Sequence, residues 1–220
     1  MKIRHTLKLF SLLFIFVGSV VNAEESFFES QKTLAEQGVV EAQYNLGVMY
    51  DKGRGLPQDY REAVNWYSKA AGQGLAIAQF NLALKYRDGQ GVPQDYKEAV
   101  KWCTKAAEQG IASAQLNLGL MYFNGQGVPQ DFKEVVKWFT KAAEQGHASA
   151  QFNLGLRYYN GQGVPQDFVQ AHKWWNLAAT TGLETAKKNR DIIAKLMTPE
   201  QLAEAQNLAR EWYQKHQAKE

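Results

Sequence analysis

Residues 110–145 read GIASAQLNLGLMYFNGQGVPQDFKEVVKWFTKAAEQ, and closely similar 36-residue blocks begin at Gly38, Gly74 and Gly146. Leu46, Leu82, Leu118 and Leu154 share one offset, and Tyr50, Tyr86, Tyr122 and Tyr158 another. Pro57, Pro93, Pro129 and Pro165 recur in the same way, as do Trp66, Trp102, Trp138 and Trp174. A fifth start at Gly182 loses the pattern. A block this short cannot bury its own apolar face, so neighbouring blocks must stack and share a core. The expected architecture is an all-α solenoid offering a long surface rather than a globule built around one cleft.

Each block reads as two helices. Ala42, Leu46 and Tyr50 stand at i, i+4 and i+8, one apolar stripe on a helical period. Gly47, Gly119 and Gly155 lie beside the stripe, with Ala83 at that offset in the second block. Glycine inside a helix costs ~1 kcal/mol against alanine, so its return predicts a helix packed too close for a side chain. The link Gly-x-Gly-[Val/Leu]-Pro-Gln-Asp ends the first helix at its first glycine, and the proline forces its predecessor to extend. A phosphate cradle is disfavoured, because the glycines follow a helix rather than a strand. Asp59, Asp95, Asp131 and Asp167 then open the second helix, with Glu62, Glu98, Glu134 and Gln170 three residues on. That spacing predicts capping boxes rather than catalytic carboxylates. Ala63, Trp66 and Ala70 form the second helix's apolar face, and Gly74 stops it.

The ends read differently. Residues 1–23 carry Lys2, Arg4 and Lys8, an apolar run from Leu9 to Val17, and small or modest residues Val21-Asn22-Ala23. That is the three-part pattern of a secretory signal peptide, and the apolar run is shorter than the ~20 residues of a spanning helix. Localisation is therefore expected to be exported, periplasmic or secreted. The chain holds 25 Lys and Arg against 22 Asp and Glu, and the three surplus cations are all in the leader. The mature chain is close to neutral, which leaves no electrostatic footprint for nucleic acid. Cys103 is the one cysteine, so no internal disulfide forms. Phe27, Phe28 and Leu34 in 24–37 predict a capping helix before repeats at 38–73, 74–109, 110–145 and 146–181. Thr198-Pro199-Glu200-Gln201 predicts a capped helix start within 182–220, followed by a stripe of Leu202, Ala205, Ala209 and Trp212.

The third block carries the fullest motif: Ala114, Leu118, Gly119, Tyr122, Gly125, Gly127, Val128, Pro129, Gln130, Asp131, Phe132, Trp138, Lys141, Ala142, Ala143, Glu144 and Gln145. Val135 departs from the pattern's alanine. This motif resembles the Sel1-like repeat family, a relative of the tetratricopeptide repeat, over residues 38 to about 181. The resemblance implies a right-handed α/α superhelix of helix-turn-helix repeats serving as a scaffold for protein–protein contacts. A cysteine-rich exported branch of the family, to which penicillin binding or hydrolysis has been attached, pairs cysteines between the two helices of each repeat. This chain lacks those pairs, and that activity is not carried over.

In related repeat proteins the first helices line the concave surface, which makes two rows of side chains candidates for partner binding. One is Tyr44, Phe80, Leu116 and Phe152; the other is Asp51, Arg87, Phe123 and Tyr159. An exposed aromatic and apolar strip marks a partner surface, although the Tyr44 row reads equally well as core between repeats. The Asp51 row changes polarity from block to block, and Asp51 and Arg87 are expected to be wet.

Catalysis finds little support. His172 replaces Val64, Val100 and Val136, His147 replaces Leu75 and Ile111, and His216 stands near the end. Neither His172 nor His147 lies in a metal-ligand spacing. Cys103 occupies the offset of Tyr67, Phe139 and Trp175, so a partly buried filler is expected there, with no histidine in the same or an adjacent helix of that block to activate it. No cofactor or metal is expected. The favoured reading is an exported binding scaffold for a protein or peptide, not an enzyme. The alternative is a cell-envelope hydrolase acting on a β-lactam or peptidoglycan.

Overall fold

The computed structural model describes residues 27–217, so the leader read at 1–23 lies outside the described residues. The described elements are helices: α1 (27–36), α2 (Val40–Lys52), α3 (Tyr60–Gly72), α4 (Ala76–Asp88), α5 (Tyr96–Glu108), α6 (Ala112–Asn124), α7 (Phe132–Glu144), α8 (Ala148–Asn160), α9 (Phe168–Ala179), α10 (Glu184–Ala194) and α11 (Pro199–Gln217). They form two compact units that divide after Asp95.

In the first unit α2 packs on α3, and α3 on α4. Ala35, Ala42, Leu46 and Trp66 make a buried cluster, with Phe28 and Tyr50 against it. The expected cap of Phe27, Phe28 and Leu34 is corrected in part. Phe28 and Ala35, seven residues apart, share the inward face, whereas Phe27 and Leu34 lie one position round the helix and are exposed. In the second unit α6 packs on α7 and α8 on α9, with α5–α6 and α7–α8 contacts joining the hairpins. Val135, Phe139, Ala142, Ala143, Ala150, Leu154 and Trp174 make its main core. Both α10 and α11 pack on α9. Thr198 and Gln201 form a reciprocal capping box at the start of α11 (3.0 and 3.3 Å), Ala205 and Ala209 are buried, and Trp212 Nε1 donates to Glu144 at 2.9 Å.

The helix glycines have the predicted cause. A Cβ built on Gly47, Gly119 or Gly155 would come within 2.6 Å of the ring of Tyr67, Phe139 or Trp175, the residue twenty positions on. The second block changes both offsets together, to Ala83 and Cys103.

The second glycine of the linker has a role that the sequence reading missed. A Cβ on Gly91, Gly127 or Gly163 would collide with the backbone carbonyl of Tyr60, Tyr96 or Phe132, the first residue of the preceding block's second helix. Each of these glycines also has positive φ. A buried glutamine ladder went equally unread. Gln43, Gln79, Gln115 and Gln151 donate to the carbonyls of Ala35, Ala71, Ala107 and Ala143 at 3.0–3.2 Å, tying each first helix to the helix before it. Its signal was available, since glutamine occupies that offset in all four blocks.

Only half of each predicted capping box forms at the second helices that show their caps. Asp59 accepts from the amides of Arg61 and Glu62, Asp131 from those of Lys133 and Glu134, and Asp167 from that of Gln170. The amides of Asp59, Asp131 and Asp167 are taken by the carbonyls of Tyr50, Tyr122 and Tyr158, so no return bond from the acid is needed. Glu134 instead accepts from Trp138 Nε1 at 2.9 Å and pairs with Lys137.

Gly110 and Gly127 separate two costs. Both have positive φ, but a Cβ at Gly110 meets nothing within 4 Å. Gly110→Ala should cost about 1–2 kcal/mol, and Gly127→Ala roughly 2–4, because overpacking adds to the backbone strain. Urea denaturation of the two variants reads the difference. Equal losses would contradict the close approach.

Candidate binding surface on the first helices

The linker determines where the candidate rows sit. Gly53, Gly89, Gly125 and Gly161 end α2, α4, α6 and α8 in the left-handed conformation, and their amides return to carbonyls of the last turn. The glutamine of Pro-Gln-Asp then reaches back seven residues. Gln58, Gln94, Gln130 and Gln166 donate to the carbonyls of Asp51, Arg87, Phe123 and Tyr159 at 2.6–2.8 Å. Helix ends leave carbonyls unsatisfied, and this side chain covers one of them in every block. The Asp51 row is thereby held in place by its own linker. The loop amides are also spoken for: those of Gly89 and Gln90 bond Lys85, and that of Asp95 bonds Tyr86.

Within that frame, Asp51 is not wet as expected. It is 7% exposed and forms a buried ion pair with Lys85 of α4. The reason is its neighbour, because the apolar offset of Met49 and Met121 carries Lys85 in the second block and Arg157 in the fourth. Arg87 is half-buried and bonds Asp88 through Nε at 2.7 Å and Nη2 at 3.0 Å. Phe123 is half-buried, edge-on to Phe132 at 5.9 Å. Tyr159 is half-buried, stacked on Phe168 at 5.8 Å and against Trp175 at 5.6 Å. In the other row Tyr44 leans on Tyr67 at 6.0 Å, Leu116 and Phe152 pack against core clusters, and Phe80 is half-buried. Seven of the eight side chains thus present one edge to the core and one to solvent, and the eighth, Asp51, is internal.

The two buried cations differ in how they are satisfied. Lys85 Nζ pairs with Asp51, donates to Gln90 Oε1 at 2.9 Å, and lies 4.5 Å from the Tyr60 ring. Arg157 is also 7% exposed, but the offset of Asp51 is occupied by Phe123, and the guanidinium lies 4.6 Å over that ring. Its Nε and Nη1 are buried and meet no acceptor. Burial pushes this guanidinium down from its usual value. A desolvated cation–π contact returns ~2 kcal/mol, whereas taking the ion out of water costs several.

A second feature lies in the same unit. Helices α9, α10 and α11 enclose an open cleft of ≈ 750 Å³, lined by His172, Asn176, Arg190, Gln206, Arg210 and Tyr213 among others. His172 is buried and its Nδ1 has no partner, while Arg190 bonds Asn176 and Asp191. Burial, reinforced by Arg190 and opposed by Asp191, holds the imidazole below its usual value. His147 is the N-cap residue of α8, and His216 stacks on Trp212 at 4.0 Å. Cys103 is 1% exposed, deeper than expected, with Sγ 3.2 Å from the Ala114 carbonyl. Among the described residues no three His, Cys, Asp or Glu side chains converge as a metal site, and no helix is long and apolar enough to cross a membrane.

The repeat motif, the paired helices and the linker chemistry define a helical-repeat protein. The Sel1 repeat family model matches residues 40–75, 76–111, 112–147, 148–182 and 204–215, and the chain belongs to the Sel1 repeat family, whose repeats generally mediate protein–protein interaction. A Sel1 repeat protein from Oxalobacter formigenes is 36% identical over 83% of this chain and 75% of its own, with a TM-score of 0.68. The protective antigen c5321 of uropathogenic Escherichia coli, which displays the same type of fold, is 39% identical over 85% of this chain with a TM-score of 0.77. This chain spans 40% of that antigen's length. The fold class is that of the Sel1 repeat solenoids. No curated protein matches the sequence.

Two measurements probe these buried groups. Lys85→Met strands the Asp51 carboxylate and should cost on the order of 3 kcal/mol, most of it recovered by adding Asp51→Phe, as read by urea denaturation. The imidazole of His172 titrates at lower pH folded than unfolded, so the unfolded chain takes up the proton first and stability falls as pH drops below about 6.5. His172→Val, the residue of the other blocks, should flatten the decline in Tm between pH 7 and 5.5; an unchanged slope counts against a buried neutral imidazole.

Proposed function

We propose that the protein is an exported scaffold that grips a protein or peptide along the face of its first helices, by binding and without turnover. Each unit carries first-helix side chains of its own. Tyr44, Phe80 and Arg87 belong to the first, and Leu116, Phe123, Phe152 and Tyr159 to the second. The observation that carries the reading is the half-buried state of these side chains. Aromatic groups held rigid by the core on one edge and open on the other lose little entropy when a partner covers them. Asp51 is buried with Lys85, so it contributes to the integrity of the surface rather than to contact. Export is supported by the tripartite leader, with Ala23 before the cleavage point, and by similarity to a protective antigen. The near-neutral mature chain supports a protein partner over a nucleic acid.

Crosslinking capture from the native envelope, with the tagged chain as bait, tests this. Arg87→Ala and Tyr159→Ala should each reduce capture of the principal partner by about tenfold while circular dichroism stays unchanged. The exported chain should begin at Glu24 by intact mass. Undiminished capture by both variants would remove the first helices from the binding surface.

A further inference from the structure

Arg157 sits against Phe123 on the first-helix surface of the second unit, where a departure from the repeat leaves a buried cation without an acceptor. Two blocks earlier the same offset holds Lys85, whose charge is answered inside the chain by Asp51. At Arg157 the answering offset holds a phenyl ring. A guanidinium stays charged in proteins and offers five N–H donors in a planar fork shaped for a carboxylate. Two of its nitrogens are buried without acceptors, and no charged group of the described chain offsets the effect of burial on it. The other two blocks show that the site does not need a cation for packing, since Met49 and Met121 fill it. A buried, unanswered charge where methionine would serve is the pattern of a group kept for a ligand.

We propose that Arg157 is an anchor for a carboxylate of the bound partner, which answers its charge from outside the chain as Asp51 answers that of Lys85 from within. The planar guanidinium gives this contact direction, and the Phe123 ring lies 4.6 Å from its central carbon. The proposal rests on the first-helix face being the binding surface and adds the chemistry that the partner must present there. The carboxylate comes from an acidic side chain or from a chain terminus, and both present the same pair of accepting oxygens.

The test follows the Arg157 Nε–H resonance of the labelled, folded chain. Three acetylated tripeptides serve as probes: glycine–glutamate–glycine amide, glycine–glutamine–glycine with a free carboxyl end, and glycine–glutamine–glycine amide. A saturable shift with the first assigns the anchor to a side chain, and with the second to a terminus; the third should give none. Arg157→Met should keep the fold with an equal or higher Tm and lose the response. Phe123→Asp, which places at this offset the aspartate that the first block sets against Lys85, should raise Tm and likewise abolish it. No shift with either carboxylate, or a lower Tm for Arg157→Met, overturns the proposal. The titration is independent of partner capture. A missing shift with capture still dependent on Tyr159 discards the carboxylate anchor alone, and a clear shift with capture insensitive to Tyr159 discards the wider surface instead.

Discussion

An aromatic ring laid against a bare stretch of helix backbone sets the spacing inside three of the four hairpins. Tyr67 lies on Gly47, Phe139 on Gly119 and Trp175 on Gly155, close enough that a single methyl on the glycine would overlap the ring. Interiors are packed to crystal density, so this distance propagates. Between blocks the buried glutamines hold each first helix to the helix before it, in the second block as in the others. In the second block the glycine becomes Ala83 and the ring becomes Cys103, so volume moves from one offset to the other.

The polar groups around these hairpins are used with little left over. A helix end exposes carbonyls and a helix start exposes amides, and one seven-residue linker answers both. Its first glycine turns the chain, its glutamine covers a carbonyl of the helix just ended, and its aspartate side chain covers amides of the helix about to start. Its second glycine lets the loop settle on the previous block's backbone. The amides of Gly89, Gln90 and Asp95 are thus engaged within the chain, and the second glycine serves packing against the preceding block.

Repetition makes the exceptions readable. Where four blocks share an offset, three of them act as controls for the fourth. His172 among valines lines a cleft between α9, α10 and α11, and Lys85 and Arg157 among methionines place charge inside the structure. One of those charges is neutralised within the chain and the other rests on a ring. Local departures from an otherwise consistent pattern are where binding chemistry is expected to gather.

The helices, their order, the linker turns and the close approach at the helix glycines were legible in the sequence, because they arise from interactions a few residues apart or from a period that repeats, whereas the contact of the second linker glycine with the preceding block was not. Exposure was not. Asp51 and Arg87 occupy equivalent offsets and read as equally wet, yet one is enclosed by Lys85, thirty-four residues on, and the other keeps an open edge beside Asp88. The inward face of α1 likewise turned on one step of helical rotation, which spacing alone leaves free. A linear pattern specifies which residues share a face. Which partner a neighbouring block sets against that face is decided only when the blocks pack, because burial and charge pairing depend on atoms distant in sequence.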